Sequence, residues 1–180
     1  MGKIFDAIDS DLKKWIEKQK MFFVATAPLS AEGHINCSPK GLDSFRILDE
    51  HTVAYQDLTG SGIETIAHIQ ENQRIVIMFC AFNGPPKIVR LHGRGEAITP
   101  GHEDFEKLNA LFPKRRGVRS YIRIELSRVS DSCGYSVPLY DFVKDRDVLD
   151  KWVTAKSDEQ LEEYRAAKNS ESIDGVRGLG

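Results

Sequence analysis

Arg74-Ile75-Val76-Ile77-Met78-Phe79-Cys80-Ala81-Phe82 is followed, past Asn83-Gly84-Pro85-Pro86, by Lys87-Ile88-Val89-Arg90-Leu91-His92-Gly93-Arg94-Gly95. The first run is almost wholly apolar and rich in β-branched residues, the composition of a buried strand. The second alternates, with Val89 and Leu91 on one face and Arg90, His92 and Arg94 on the other, and continues to Ile98. Two strands thus follow one another with no helix between them.

The same pattern extends in both directions. Met21 to Ala27 and His34 to Ser38 read as strands around a hairpin loop, and Phe45 to Leu48 and Thr52 to Gln56 as two more around Asp49-Glu50-His51. Tyr121-Ile122-Arg123-Ile124-Glu125-Leu126-Ser127 alternates cleanly and predicts a half-buried antiparallel strand. Helical spacing predicts a helix over residues 7 to 18, and a shorter one around Phe105, Leu108 and Leu111 that Pro113 ends. Ser61 and Glu64 form a capping-box pattern that predicts a helix over 61 to 71. Two further helices are expected near 147 to 155 and 157 to 168, the second with Ser157 and Gln160 as its capping box, before a loose end at Gly175 to Gly180.

Strands with inserted helices, but without regular alternation of the two, predict a mainly β fold with flanking helices: a closed or split antiparallel barrel of six or seven strands. One core domain is expected over residues 1–140. Residues 141–180 form a C-terminal helical extension, packed on the barrel or on a partner subunit.

Composition narrows the class. With 41% apolar residues and a net charge of -2 over 180 residues, the chain has the make-up of an ordinary globular protein, with no bulk attraction for nucleic acid. Its longest strongly apolar stretch, Ile75 to Phe82, falls far short of the roughly 20 residues that span a bilayer, so no membrane partner is expected. Aspartates at 6, 9 and 11 interrupt any secretory signal, making a cytoplasmic location the default expectation. Cys37, Cys80 and Cys133 lack disulfide or metal-knuckle spacing, and the five histidines lack ligand spacing, so free thiols and no metal are expected.

Three segments could together bind an anion. Ser38-Pro39-Lys40-Gly41 places a lysine at a strand end or bulge, since Pro39 cannot donate a ladder hydrogen bond. Thr59-Gly60-Ser61-Gly62-Ile63-Glu64-Thr65 offers backbone N–H groups at a helix start together with the Ser61 and Thr65 hydroxyls, although plain capping accounts for the same residues. The strand at 88 to 95 adds Arg90, His92 and Arg94, which a solvated face paired with carboxylates such as Glu96 would equally explain.

These motifs carry a resemblance. Asn36-Cys37-Ser38-Pro39-Lys40-Gly41, Tyr55-Gln56-Asp57 with Gly60-Ser61-Gly62-Ile63-Glu64-Thr65, Asn72-Gln73-Arg74 and Lys87 to Gly95 are similar to the pyridoxamine 5'-phosphate oxidase-related family of FMN-binding split barrels, in its small single-domain branch. Cys133 to Pro138 and Lys168 to Gly175 resemble a C-terminal extension found in one branch. The resemblance implies a homodimer with FMN at the subunit interface, working as an oxidoreductase on a small substrate, with NAD(P)H as an electron donor. By motif position it implies cofactor contacts from Ser38, Lys40, Tyr55, Gln56, Ser61, Thr65, Arg90 and His92, with Tyr135 near the site. The family's Ser-x-Lys at the helix start is replaced around Ile63-Glu64-Thr65, and the Arg-rich substrate segment of true pyridoxamine phosphate oxidases is not recognisable in Tyr140 to Trp152. The alternative is a non-catalytic flavin- or heme-binding carrier, sensor or stress protein, and the superfamily's similarity to heme-associated proteins and deazaflavin-dependent reductases leaves deazaflavin or heme open in place of FMN.

Overall fold

The computed structural model describes residues 2–179. Its elements run β1 (Ile4–Phe5), α1 (Ser10–Glu17), β2 (Phe22–Thr26), β3 (Asn36–Lys40), β4 (Phe45–Ile47), β5 (Thr52–Leu58), α2 (Glu64–Asn72), β6 (Arg74–Cys80), β7 (Ile88–Ile98), α3 (Phe105–Asn109), β8 (Val118–Ser132), α4 (Val148–Thr154) and α5 (Asp158–Lys168). The strands form one antiparallel sheet in the order β3-β2-β6-β7-β8-β5-β4, with β1 added against β8. This is the antiparallel split barrel expected from the strand pattern.

The two ends of the sheet meet through side chains. Phe22 of β2 packs against Phe45 of β4 and Tyr55 of β5, with ring centroids 5.2 and 5.7 Å apart, and Phe45 meets Phe79 of β6 at 5.1 Å. Alternation places Val24, Ile77, Val89, Leu91, Ile122 and Ile124 in the same interior. Deleting a ring such as Phe22 would cost about 3–5 kcal/mol. On the other face of β5 and β8, Ala54, Tyr121 and Ile98 form a second small core with Leu108 of α3 and Phe112.

Pro39 lies on the sheet's edge strand, as its missing donor requires. β8 is much longer than its central alternating run, because β1, β5 and β7 all pair with it. The β7–β8 register shifts at His92/Gly93, and there a side chain at Gly93 would strike the Glu125 carbonyl oxygen and come within 2.8 Å of Ile124 Cγ2. Only glycine fits this bulge.

Two local expectations are corrected. α2 starts at Glu64, with Ile63 as an N-cap that makes no side-chain capping bond, so the Ser61–Glu64 box does not form and Ser61 stays exposed. Ile63 is 1% exposed, and burying such a side chain contributes about 1.5–3 kcal/mol, at least as much as the about 1 kcal/mol of a typical cap. The C-terminal end is held: Gly178 N–H donates to Ser170 O at 2.7 Å and Leu179 N–H to Asn169 O at 2.8 Å. Gly180 lies outside the described residues. The second capping box does form, with Ser157 Oγ accepting from Gln160 N–H and Gln160 Oε1 from Ser157 N–H.

Candidate functional site

Edge strand β3, the end of β5 and the first turn of α2 come together through side-chain contacts at the split of the barrel. Asn36, Ser38 and Lys40 alternate with the exposed Cys37 and Pro39, so they share the face of β3 that continues onto Phe22, Val24 and Thr26. Asn36 Nδ2 donates to Thr65 Oγ1 at 3.0 Å and to Thr26 Oγ1 at 3.1 Å, joining β3 to α2. Ser38 Oγ in turn donates to Asn36 Oδ1 at 2.9 Å.

This network assigns the hydroxyl protons. Ser38 spends its proton on orienting Asn36. The Thr65 oxygen accepts from Asn36, and its hydroxyl faces Tyr55. Thr26 Oγ1 also accepts from Asn36 and lies 3.0 Å from His68 Nδ1. Burial holds His68 below the ordinary histidine range, and its Nε2 has no hydrogen-bond partner.

Electrostatically, the site centres on Asp57, which is 2% exposed. Arg119 Nε donates to Asp57 Oδ2 at 2.6 Å, Ser120 Oγ donates to the same oxygen at 3.1 Å, and Lys40 Nζ stands 3.8 Å from Oδ1. Two cations therefore share one carboxylate, and Lys40 is the looser and more exposed of the two, with a quarter of its side chain open (26%). A positive charge left over at the edge of a partly buried site is what an incoming phosphate needs. Beside it lies Tyr55, with Lys40 Nζ 6.0 Å from its ring centroid. Tyr55 is fully buried beside the Thr65 side chain, and burial pushes its hydroxyl well above the ordinary tyrosine range, so it remains protonated.

The loop before α2 is fixed from the C-terminal extension. Gly60 O accepts from Arg119 Nη1 at 3.3 Å and from Asn169 Nδ2 at 2.9 Å, while Arg165 Nε donates to Thr59 Oγ1 at 3.1 Å. Asp174 binds both the backbone N–H and the ring Nδ1 of His34, at 2.7 and 2.6 Å. The tail thus clamps the helix start to the β2–β3 connection.

Of the eight residues expected from sequence, the structure brings Ser38, Lys40, Tyr55 and Thr65 to this site, with Ser61 exposed on the adjoining loop. Gln56 turns the other way, donating to Pro113 O at 3.1 Å beside the α3 core. Arg90 and His92 lie on the face of β7 opposite the core residues Val89 and Leu91, and Arg90 donates to Ser132 Oγ at 3.0 Å. They do not meet Lys40 within one protomer. His92 is held below the ordinary range by burial and by Arg128 and Arg90. Glu96 pairs with Arg123 at 2.6 Å, and Arg94 with Gln73, so the cations of β7 are not neutralised by Glu96. Sequence reasoning missed Asp57, Arg119 and Asn169. A charged residue inside the buried run of β5 was a usable signal for Asp57, but nothing local tied it to Arg119, 62 positions away, or tied Gly60 to Asn169, 109 positions away.

Comparisons with known proteins agree on the architecture. A family model described as pyridoxamine 5'-phosphate oxidase matches residues 8–133. Pyridoxamine 5'-phosphate oxidase family protein ustO from Aspergillus flavus is 37% identical over 200 residues, covering 99% of this chain and 78% of that protein. The crystal structure of HupZ from Group A Streptococcus is 29% identical and superposes with a TM-score of 0.52 over 68% of this chain and 91% of that one. A FAD-binding protein from Mesorhizobium loti, 13% identical, shares the fold with a TM-score of 0.51 over 73% of this chain and 95% of its own.

Proposed function

The chain belongs to the pyridoxamine 5'-phosphate oxidase family, and from that premise we propose that the site at the barrel's split holds the phosphate of FMN in a homodimeric, flavin-dependent oxidoreductase acting on a small molecule. The observation that carries this reading is the pair of cations, Lys40 and Arg119, on the single carboxylate of Asp57. Lys40 would turn from its 3.8 Å contact to the phosphate, with the Thr65 hydroxyl as a second donor. The protonated Oη of Tyr55, beside Thr65, is a third donor at this point of the barrel. The existence of a FAD-binding protein with this fold is in keeping with the reading.

A flavin, when bound, supplies the electron transfer, and the chain's part is to orient it and exclude water. Arg90 and His92 can join such a site only from a second copy. Their side of the sheet supports this, because the rung Phe23, Met78, Arg90 and the rung Ala25, Val76, His92 form a half-buried, largely apolar face flanked by cations.

The test is a flavin-fluorescence titration of the purified protein, followed by anaerobic addition of NADH or NADPH. Stoichiometric quenching of FMN and bleaching of its blue absorbance are expected. Failure to bind FMN would sink the reading. Binding without reduction by either nucleotide would remove the nicotinamide donor and leave the flavin site standing.

A further inference from the structure

Two parts of the chain far apart in sequence meet on one carbonyl. Gly60 O accepts from Arg119 Nη1 at 3.3 Å and from Asn169 Nδ2 at 2.9 Å. The same Arg119 grips Asp57 through Nε at 2.6 Å and Nη2 at 3.3 Å, and Lys40 Nζ stands 3.8 Å from Asp57 Oδ1. A continuous polar chain thus runs from Asn169 through Gly60 and Arg119 to Asp57 and Lys40. Every member but Asn169 lies within the segment 8–133 that the family model matches.

Asn169 is fixed in place from both sides. It caps the C-terminal end of α5, where its N–H donates to Arg165 O at 2.7 Å, and its own carbonyl oxygen accepts from Leu179 N–H at 2.8 Å. Leu179 in turn packs against the main core. One turn earlier, Arg165 Nε donates to Thr59 Oγ1 at 3.1 Å and Nη2 to Val118 O at 3.3 Å, so α5 also holds the end of β5 and the start of β8, beside Asp57 and Arg119. The Asn169 side chain is 0% exposed, yet its Oδ1 has no partner. A buried amide left half satisfied costs stability that an apolar side chain would not. Packing alone therefore does not account for an asparagine here, and its one side-chain bond is to the Gly60 carbonyl.

We infer that Asn169 is a positioning residue for the anion site: by fixing the Gly60 carbonyl it keeps Arg119 seated on Asp57, which leaves the Lys40 ammonium free for a phosphate. The physical basis is charge. Asp57 is 2% exposed, and a carboxylate so buried needs a close cation. With Arg119 fully engaged, Lys40 stands off at 3.8 Å with 26% of its side chain open. With Arg119 drawn away, Lys40 takes its place on Asp57 and is lost to an incoming anion. The part of the phosphate rests on the function proposed above, whereas the hold on Lys40 does not.

Asn169→Asp is the sharpest variant, because a carboxylate beside Gly60 O competes with Asp57 for Arg119. Asn169→Ala removes the bond alone, and serves if the buried charge prevents folding. Two measurements on the full chain decide the matter. In the first, acetic anhydride labels the lysines of the ligand-free protein, and mass spectrometry follows Lys40 against Lys14, which is 72% exposed. An ammonium held on a carboxylate gives up its proton less readily, so Lys40 labelling should slow about threefold or more in Asn169→Asp, and in the same direction in Asn169→Ala, with Lys14 unchanged. Lys40 labelling that is unchanged, or that changes together with Lys14, would overturn the inference. In the second, FMN and riboflavin, which differ by the phosphate alone, are titrated. FMN should bind Asn169→Asp about tenfold or more weaker, with riboflavin within about twofold of the parent. Equal losses for the two flavins would leave Asn169 a merely structural role and overturn the inference as well. A parent chain that binds FMN no tighter than riboflavin would refute the phosphate reading of the site, and Lys40 labelling would still decide this one.

Discussion

Lys40 Nζ lies 3.8 Å from Oδ1 of Asp57, a buried carboxylate that Arg119 already holds at 2.6 Å. The tight pair is structural, and the loose cation at its edge is the one free to meet an anion. Lys40→Ala should therefore weaken FMN binding by about 1.5–3 kcal/mol, the range of a charge-assisted hydrogen bond. Flavin-fluorescence titration measures it, and unchanged affinity would refute the proposed phosphate contact.

Asp57→Asn should act on stability. It leaves Arg119, 6% exposed, without its counter-charge, and breaking a buried pair from one side costs about 3–5 kcal/mol. Urea unfolding of the variant against the parent chain reads this directly. A loss under about 1 kcal/mol would place the pair among weakly contributing surface bridges.

If Arg90 completes the site of a second copy, Arg90→Ala and Lys40→Ala should complement one another. Mixed after subunit exchange, the two weakened variants form heterodimers in which one of the two sites is intact, restoring about a quarter of all sites to full affinity. Stoichiometric FMN binding by the mixture measures the recovery. No recovery, with exchange confirmed, would place Arg90 outside the site.

His68 should set part of the acid limb of stability. Its folded-state pKa is depressed by burial, so the unfolded chain takes up a proton that the folded chain resists. Stability from this group is complete above the ordinary value of 6.5 and is lost as pH falls from there through the lower folded pKa. Unfolding free energies at a series of pH values should fall over that window for the parent chain and fall less for His68→Gln, and equal slopes would exclude the residue.

Gly178→Ala should loosen the C-terminal clamp. Its new methyl would meet the Asn169 carbonyl oxygen and lie 2.6 Å from Ile63 Cγ1, an overpacking typically worth about 1–3 kcal/mol. Limited proteolysis should then cut within 169–179 faster than in the parent chain. Unchanged protection would mean that the clamp does not depend on the close approach of Gly178 to Asn169 and Ile63.

Local chemistry made much of this molecule readable. The apolar run of β6, the alternation of β7, the edge position of Pro39 and the Ser157–Gln160 cap each follow from neighbours in sequence, because strand period, missing donors and capping bonds act over a few residues. The Ser61–Glu64 pattern failed for the complementary reason. Burial of Ile63 in the core outweighed a local cap, and that burial depends on residues far along the chain.

By itself, then, the sequence determined every strand but the short β1, the helices, the antiparallel split-barrel class and the basic residues available to a phosphate. Only the tertiary structure decided which of them meet. It set Lys40 and Arg119 on one carboxylate, turned Gln56 toward α3, put Arg90 and His92 on the opposite face, and clamped the helix-start loop with Asn169. Ion pairs, barrel closure and burial join residues by distance in space, and a one-dimensional pattern does not encode which distant partner will be within reach.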